Sequence, residues 1–287
     1  MNALAWGPAG ALVFNALIWG VSWWPFRWLQ DHGLHVLWAT VVAYALPVLV
    51  ITAWQPLAWR EVARTPALWL LFLAAGTTNA CFNWAVTAGD VVRVVLLFYL
   101  MPLWAVLLAR VILGEAFSAG AWARVLLALS GAAIVLLADN AGGWPLPRNG
   151  ADWLAVIGGF SFALNNVLLR REGTRSTGAR GLASFGGGAA VSTVMALAVG
   201  QGLPGEWSLS WVLGAAALSV LFLASNLALQ YGAAHLPANA AAVIMLTEVL
   251  FAAGSAVVLG ASTLGTALVA GGALIVGASL LAARQRD

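Results

Sequence analysis

Hydrophobic positions along this chain come in long blocks rather than in the short alternation of a half-buried strand. Apolar runs lie near 8–27, 35–53, 68–88, 91–113, 118–138, 151–170, 179–200, 208–233, 239–260 and 263–283. Each holds about 19–26 residues, enough at about 1.5 Å per residue for a helix to cross a hydrocarbon core of about 30 Å. The breaks between runs carry turn chemistry: Asp31-His32-Gly33, Gln55-Pro56, Gly89-Asp90, Gly142-Gly143-Trp144-Pro145, Leu203-Pro204-Gly205 and Leu236-Pro237. The pattern predicts ten transmembrane helices and no break long enough for an extramembrane domain.

Composition agrees with that class. The chain is 62% hydrophobic and 8% charged, against about 45–50% and about 25% in soluble domains. Long continuous runs favour helices over a membrane barrel, whose strands alternate over about 10 residues. The first run lacks a basic segment and a small-residue cleavage site, so it does not read as a cleaved signal. The single Cys81 lies in an apolar run, which leaves no disulfide framework. No phosphate-binding loop, HExxH helix or His/Cys cluster is present, so nucleotide hydrolysis and zinc chemistry are poor fits. No cofactor or metal is expected.

Charge then orients the predicted spans. All thirteen basic residues are arginines. With the N-terminus inside, Arg60, Arg64, Arg110, Arg124, Arg170, Arg171, Arg175, Arg180, Arg284 and Arg286 fall at cytoplasmic ends. Only Arg27, Arg93 and Arg148 fall on the other side. That asymmetry is what the positive-inside rule demands, and both termini are then cytoplasmic. Trp54, Trp59, Trp69, Trp144, Trp153, Trp207 and Trp211 sit near predicted ends, as interfacial belts do. The basic balance is a topology signal, and with RREGTR as its one basic run the chain is not read as binding nucleic acid.

Internal similarity divides the chain. VILGEAFSAGAWARVLLALSGAAIVLLA (111–138) aligns with VVLGASTLGTALVAGGALIVGASLLA (257–282), setting Gly114 on Gly260, Gly131 on Gly277 and Pro102 opposite Glu248. NALIWGVSWWPFR (15–27) can be laid against GFSFALNNVLLRR (159–171). Residues 1–143 and 144–287 thus read as two five-helix repeats. Five is odd, so the halves enter the membrane from opposite sides. Inverted repeats of this kind are common among secondary transporters, with a substrate site near the midplane. The expected fold is an all-α membrane protein of ten helices in two inverted repeats.

These features resemble a known family. ILGE (112–115) closing the fourth span and the Gly-rich fifth and tenth spans are similar to the drug/metabolite transporter superfamily of EamA type. IWGVSWWPFRW near the start and LTEVLFA (246–252) resemble, more narrowly, YddG-type exporters of aromatic amino acids. The sequence departs from the pattern where VLGA puts Ala261 in place of an acid, and where Val249 follows Glu248 in place of a proline. The resemblance implies a multi-pass protein of a bacterial-type inner membrane that exports small molecules.

Polar groups inside spans are expensive unless they face a cavity or another helix. Asn79 and Asn83 lie one turn apart, as do Asn226 and Gln230, and Asn165 adjoins Asn166. Trp19 and Trp23 share one face of the first span, and Phe98 and Tyr99 lie near Pro102. Amides can hold an ammonium and a carboxylate while rings enclose an apolar side chain. The candidate substrate-binding set is Trp19, Trp23, Asn79, Asn83, Phe98, Tyr99, Asn165, Asn226, Gln230 and Glu248. Each amide could equally join two helices, at about 0.6 kcal/mol. Trp24, Trp38 and Trp104 read as lipid-facing or packing aromatics, and His32, His35 and His235 as solvated end residues.

Glu248 stands alone among the acids, since Asp31, Glu61, Asp90, Glu115, Asp139, Asp152, Glu172, Glu206 and Asp287 all fall at helix ends. A charge at mid-helix costs about 2.5–3.5 kcal/mol on insertion scales. It can be protonated and structural, a coupling site, or a partner for a substrate cation. Pro25 and Pro102 are candidate hinges, and Pro47 sits late in span two. Gly131, Gly271, Gly272 and Gly277 permit close approach of spans five and ten, within a monomer or across a homodimer. The leading expectation is a secondary exporter of amino acids, aromatic or otherwise bulky and apolar. The alternative is an exporter of apolar cationic drugs using Glu248. An enzyme would want a clustered catalytic set and a channel a ring of charge; neither is visible.

Overall fold

The computed structural model describes residues 6–89, 94, 97–116, 118–137, 147–202, 208–259 and 265–283. Among them every regular element is helical: α1 (Trp6–Asp31), α2 (Val36–Trp54), α3 (Ala58–Arg64), α4 (Pro66–Ala88), α5 (Met101–Leu113), α6 (Ala119–Leu137), α7 (Gly150–Arg171), α8 (Thr177–Ala198), α9 (Leu209–His235), α10 (Ala238–Met245), α11 (Glu248–Val258) and α12 (Thr266–Ala283). Several starts are set by local chemistry. Asn149 accepts from the Asp152 N–H at 2.9 Å, Ser176 from Ala179 at 3.1 Å and Ser118 from Ala121 at 3.0 Å, which satisfies amides that the first turn leaves free. Pro66 opens α4, where its missing N–H costs nothing. Gly114 closes α5 with φ +72°, a left-handed conformation that favours glycine.

Five of these helices are long and apolar enough to cross a membrane, and six if α3 and α4, bent by 100° at Thr65, form one span. The other predicted spans correspond to shorter apolar helices. Large apolar side chains such as Trp54, Val111 and Val258 lie more than four-fifths exposed on outward faces, as lipid-facing residues must. The chain is a multi-pass membrane protein. The boundary expected between residues 143 and 144 lies outside the described residues, as do Asp90, Arg93, Asp139, Trp144, Glu206, Trp207, Gly260, Ala261, Arg284, Arg286 and Asp287.

One element is added, and two spans break near Pro102 and Glu248, the positions that the alignment pairs. Span three gains a short preceding helix, α3, after the Gln55-Pro56 break. Span four is interrupted by a turn at Tyr99–Leu100, and Pro102 occupies the first turn of α5. Proline is tolerated there, where its missing N–H costs nothing. Span nine is interrupted at Leu246–Thr247, and Glu248 is the first residue of α11 rather than a mid-helix acid. Pro25, by contrast, lies inside an unbroken α1.

Packing places α4 between α7 and α8, α1 against α9 and α11, and α6 against α12. Glycine permits two of these approaches. A Cβ on Gly76 of α4 would stand 2.5 Å from the Gly187 carbonyl of α8, and one on Gly131 of α6 would stand 2.6 Å from the Gly271 carbonyl of α12. The α6–α12 seam therefore forms within one chain. Its two aligned glycines are not equivalent, since a Cβ on Gly277 would meet nothing within 4 Å.

Arginines gather at one end of the bundle. There Arg170 pairs with Glu115 at 3.2 Å, and Glu61 of α3 accepts the Ser176 hydroxyl at 2.5 Å and its N–H at 3.2 Å. At the opposite end the Trp38 indole N–H donates to the Gln201 carbonyl at 3.2 Å.

Candidate functional site

A cavity of about 630 Å³, its open mouth included, lies among the middle turns of α1, α2, α4, α7, α8 and α9. Asn15 and Trp19 reach it from α1, one turn apart on the face that meets α9. Tyr44 comes from α2, Thr78, Asn79 and Phe82 from α4, Phe162 and Asn165 from α7, and Ser184 and Phe185 from α8. Phe222 and Asn226 come from α9, and Phe98 and Glu248 stand at the two helix breaks. Each long helix contributes from its inner turns rather than from its ends.

Aromatic rings make its walls. Trp19 stacks on Phe222 with centroids 4.7 Å apart and planes 20° from parallel. Tyr44 meets Phe185 edge-on at 5.0 Å and Phe222 at 5.8 Å. Phe98 packs on Phe82 at 4.5 Å and on Phe162 at 5.6 Å. Such tilted and edge contacts suit the ring quadrupole and leave slots between flat faces.

The amides are held in place by their neighbours. Asn79 accepts from the Tyr44 hydroxyl at 2.6 Å and donates to the Ala75 carbonyl at 2.7 Å. Asn15 donates to the Ser225 carbonyl at 2.9 Å and to its hydroxyl at 2.6 Å, while its own Oδ1 has no partner among the described residues. Gln230 donates to Asn226 Oδ1 at 2.7 Å. The Tyr99 hydroxyl donates to the Glu248 carboxyl, and both are almost fully buried. Acid and phenol thus tie the two helix breaks together beside the cavity.

Six of the ten residues expected from the sequence line this cavity: Trp19, Asn79, Phe98, Asn165, Asn226 and Glu248. The other four stand back from it, each engaged elsewhere. Trp23 donates its indole N–H to Ser255 at 3.0 Å, and Asn83 donates to Thr40 at 2.8 Å, so both join helices. Gln230 supports Asn226, and Tyr99 supports Glu248. Asn15, Tyr44, Thr78, Ser184 and the phenylalanines 82, 162, 185 and 222 are among the additions. Asn15 and Phe222 each stand one turn before a residue already singled out, and that spacing was their available signal. Cys81 is buried and free. His35 is also not merely solvated, since its ring nitrogen accepts from the Leu37 N–H at 3.3 Å as the cap of α2.

Residues 7–137 match the model of the EamA-like transporter family. That match points to a transporter of the drug/metabolite type rather than an enzyme. It covers a little under half the chain and is silent on any narrower subgroup. No curated protein matches the sequence. One solved crystal structure superposes with a TM-score of 0.73 at 21% identity, covering 96% of each chain; at that identity the likeness concerns the fold.

Proposed function

We propose that the whole chain is an EamA-type secondary transporter that exports amino acids, with aromatic or other bulky apolar side chains, by alternating access around the central cavity. The observation that carries this reading is the cavity's lining: stacked aromatic rings, fixed amides and one carboxyl, drawn from the inner turns of six helices and the two helix breaks. The rings exclude water and hold an apolar side chain, the amides orient polar groups, and Glu248 receives an ammonium. On this reading ten spans form two inverted five-helix repeats. The two breaks support it, because they overlap at Leu100 and Leu246, which the sequence alignment sets opposite each other. The protein then sits in a bacterial-type inner membrane with both termini cytoplasmic, as a monomer or a homodimer, and Pro25 and Pro102 mark where helices flex.

One observation favours a second reading. Among the described residues the cavity lining holds an acid and no base, a donor set that also suits an apolar cation. Purified protein in liposomes, offered labelled L-tryptophan, L-phenylalanine and cationic dyes with and without a pH gradient, separates the two. Amino-acid flux is expected, and Glu248→Gln should lower it by about 10-fold or more while leaving the protein folded. Dye flux without amino-acid flux would move the assignment to apolar cations. Normal flux and pH response in Glu248→Gln would remove Glu248 from the site.

A further inference from the structure

The charge pattern assigns Arg180 to a solvated helix end, with the other arginines of that side. The fold places it elsewhere. Arg180 is 6% exposed, and its Nε and Nη1 are buried with no hydrogen-bond partner among the described residues. Its neighbours at that end differ. Arg170 is paired with Glu115 at 3.2 Å, and Arg175 with Glu172 at 3.2 Å. Glu61 is the acid whose charge reaches Arg180; its oxygens accept from the Ser176 hydroxyl and N–H, and it forms no close ion pair with Arg180 among the described residues.

A buried guanidinium with unused N–H groups is costly, and the cost falls when an anion reaches it. A second local rule is also broken. Arg180 stands at the start of α8, where the helix dipole opposes a cation and favours an anion. Residues that break local rules in this way cluster at functional sites.

Position supplies the rest. Ser184 lies one turn further along α8 on the same face, lines the cavity, and keeps a buried hydroxyl with no partner among the described residues. Gly181, next to Arg180, brings this turn against α9: a Cβ there would stand 3.3 Å from Gln230 Nε2. Gln230 holds Asn226 at the cavity wall and has a buried Oε1 without a partner among the described residues. Arg180 therefore lies about 6 Å along the helix from the lining, toward the arginine-rich end.

We propose that Arg180 and Ser184 form an oxyanion subsite at the arginine-rich end of the cavity, which takes the carboxylate of the transported solute. The planar guanidinium fork suits a carboxylate, and the Ser184 hydroxyl carries the anion from that subsite into the chamber. The solute is then one that bears an anion as well as an apolar body. Naming the anion as the solute's own rests on the transporter reading, whereas oxyanion binding at Arg180 does not.

The test uses the full-length protein in nanodiscs of phosphatidylcholine, with L-tryptophan, 3-indolepropionate and tryptamine as probes followed by calorimetry. Wild type is expected to bind both carboxylates. Arg180→Gln should weaken each by about 10-fold and change tryptamine less than twofold, with Arg180→Lys intermediate and Ser184→Ala weakening the carboxylates about threefold. Equal losses for all three probes, or for none, overturn the proposal, as does wild type that binds neither carboxylate. A repeat with phosphatidylglycerol covers a lipid source. If anionic lipid protects the protein through Arg180 while free carboxylates do not bind, the site holds a headgroup and the solute assignment falls. Carboxylate binding lost in Arg180→Gln but without amino-acid flux in liposomes would keep the subsite and remove the transport reading.

Discussion

The two helix breaks beside the cavity do the same thing by different means. The break at Tyr99–Leu100 is followed by Pro102, which cannot donate to the preceding turn and so favours a helix start. The break at Leu246–Thr247 has neither proline nor glycine. Just after it α1 packs closely on the first turn of α11 at Gly20, where a Cβ would stand 2.8 Å from the Glu248 carbonyl and 2.7 Å from Phe251 Cβ. One interruption is written into its own residues. The other has beside it a close helix approach at a glycine more than 200 positions away. Tyr99 and Glu248 then join them.

Breaking the comparison begins with Gly20. Gly20→Ala forces backbone and side chain apart at the second break, and overpacking of this kind costs about 1–3 kcal/mol. The expected result is a lowered midpoint of thermal unfolding in detergent and near-complete loss of transport. An unchanged midpoint would mean that α1 does not pack closely beside the break. Next in size is Tyr99→Phe, which deletes the tie and leaves a buried carboxyl one hydrogen bond short, at about 1–3 kcal/mol. Calorimetric unfolding should show that loss, and an additive double mutant with Glu248→Gln would count against the bond. Smallest is Pro102→Ala. A proline at a helix start contributes mainly through the unfolded chain, about 0.4–1 kcal/mol, so the fold should persist. Turnover should fall more than substrate affinity, and equal losses would remove the hinge role.

The same contrast explains what could be read before the fold was known. Long helices were legible because their ends carry local signals: Pro66 opening α4, Asn149 capping α7, and Asp31-His32-Gly33 ending α1 with Gly33 at φ +87°. The interruption in LTEVLFA carried no such local signal; only the alignment that sets Glu248 opposite Pro102 pointed to it, and Glu248 by itself read as a mid-helix acid. Among the site residues, amides and tryptophans were noticed because a polar or bulky group in an apolar run is conspicuous. Phe162, Phe185 and Phe222 were not, because a phenylalanine facing a cavity and one facing lipid are identical in sequence. Trp23 and Asn83 show the converse, conspicuous residues whose partners, Ser255 and Thr40, lie on other helices.

Apolar run length, turn chemistry and arginine placement by themselves determined that this is a multi-pass helical membrane protein, because crossing a hydrocarbon layer constrains each segment separately. Only the tertiary structure decided which polar side chains share one chamber, where two helices break, and that Arg180 is buried instead of solvated at its helix end. Those outcomes depend on which faces of distant helices meet, and a face acquires its environment only from the helix packed against it.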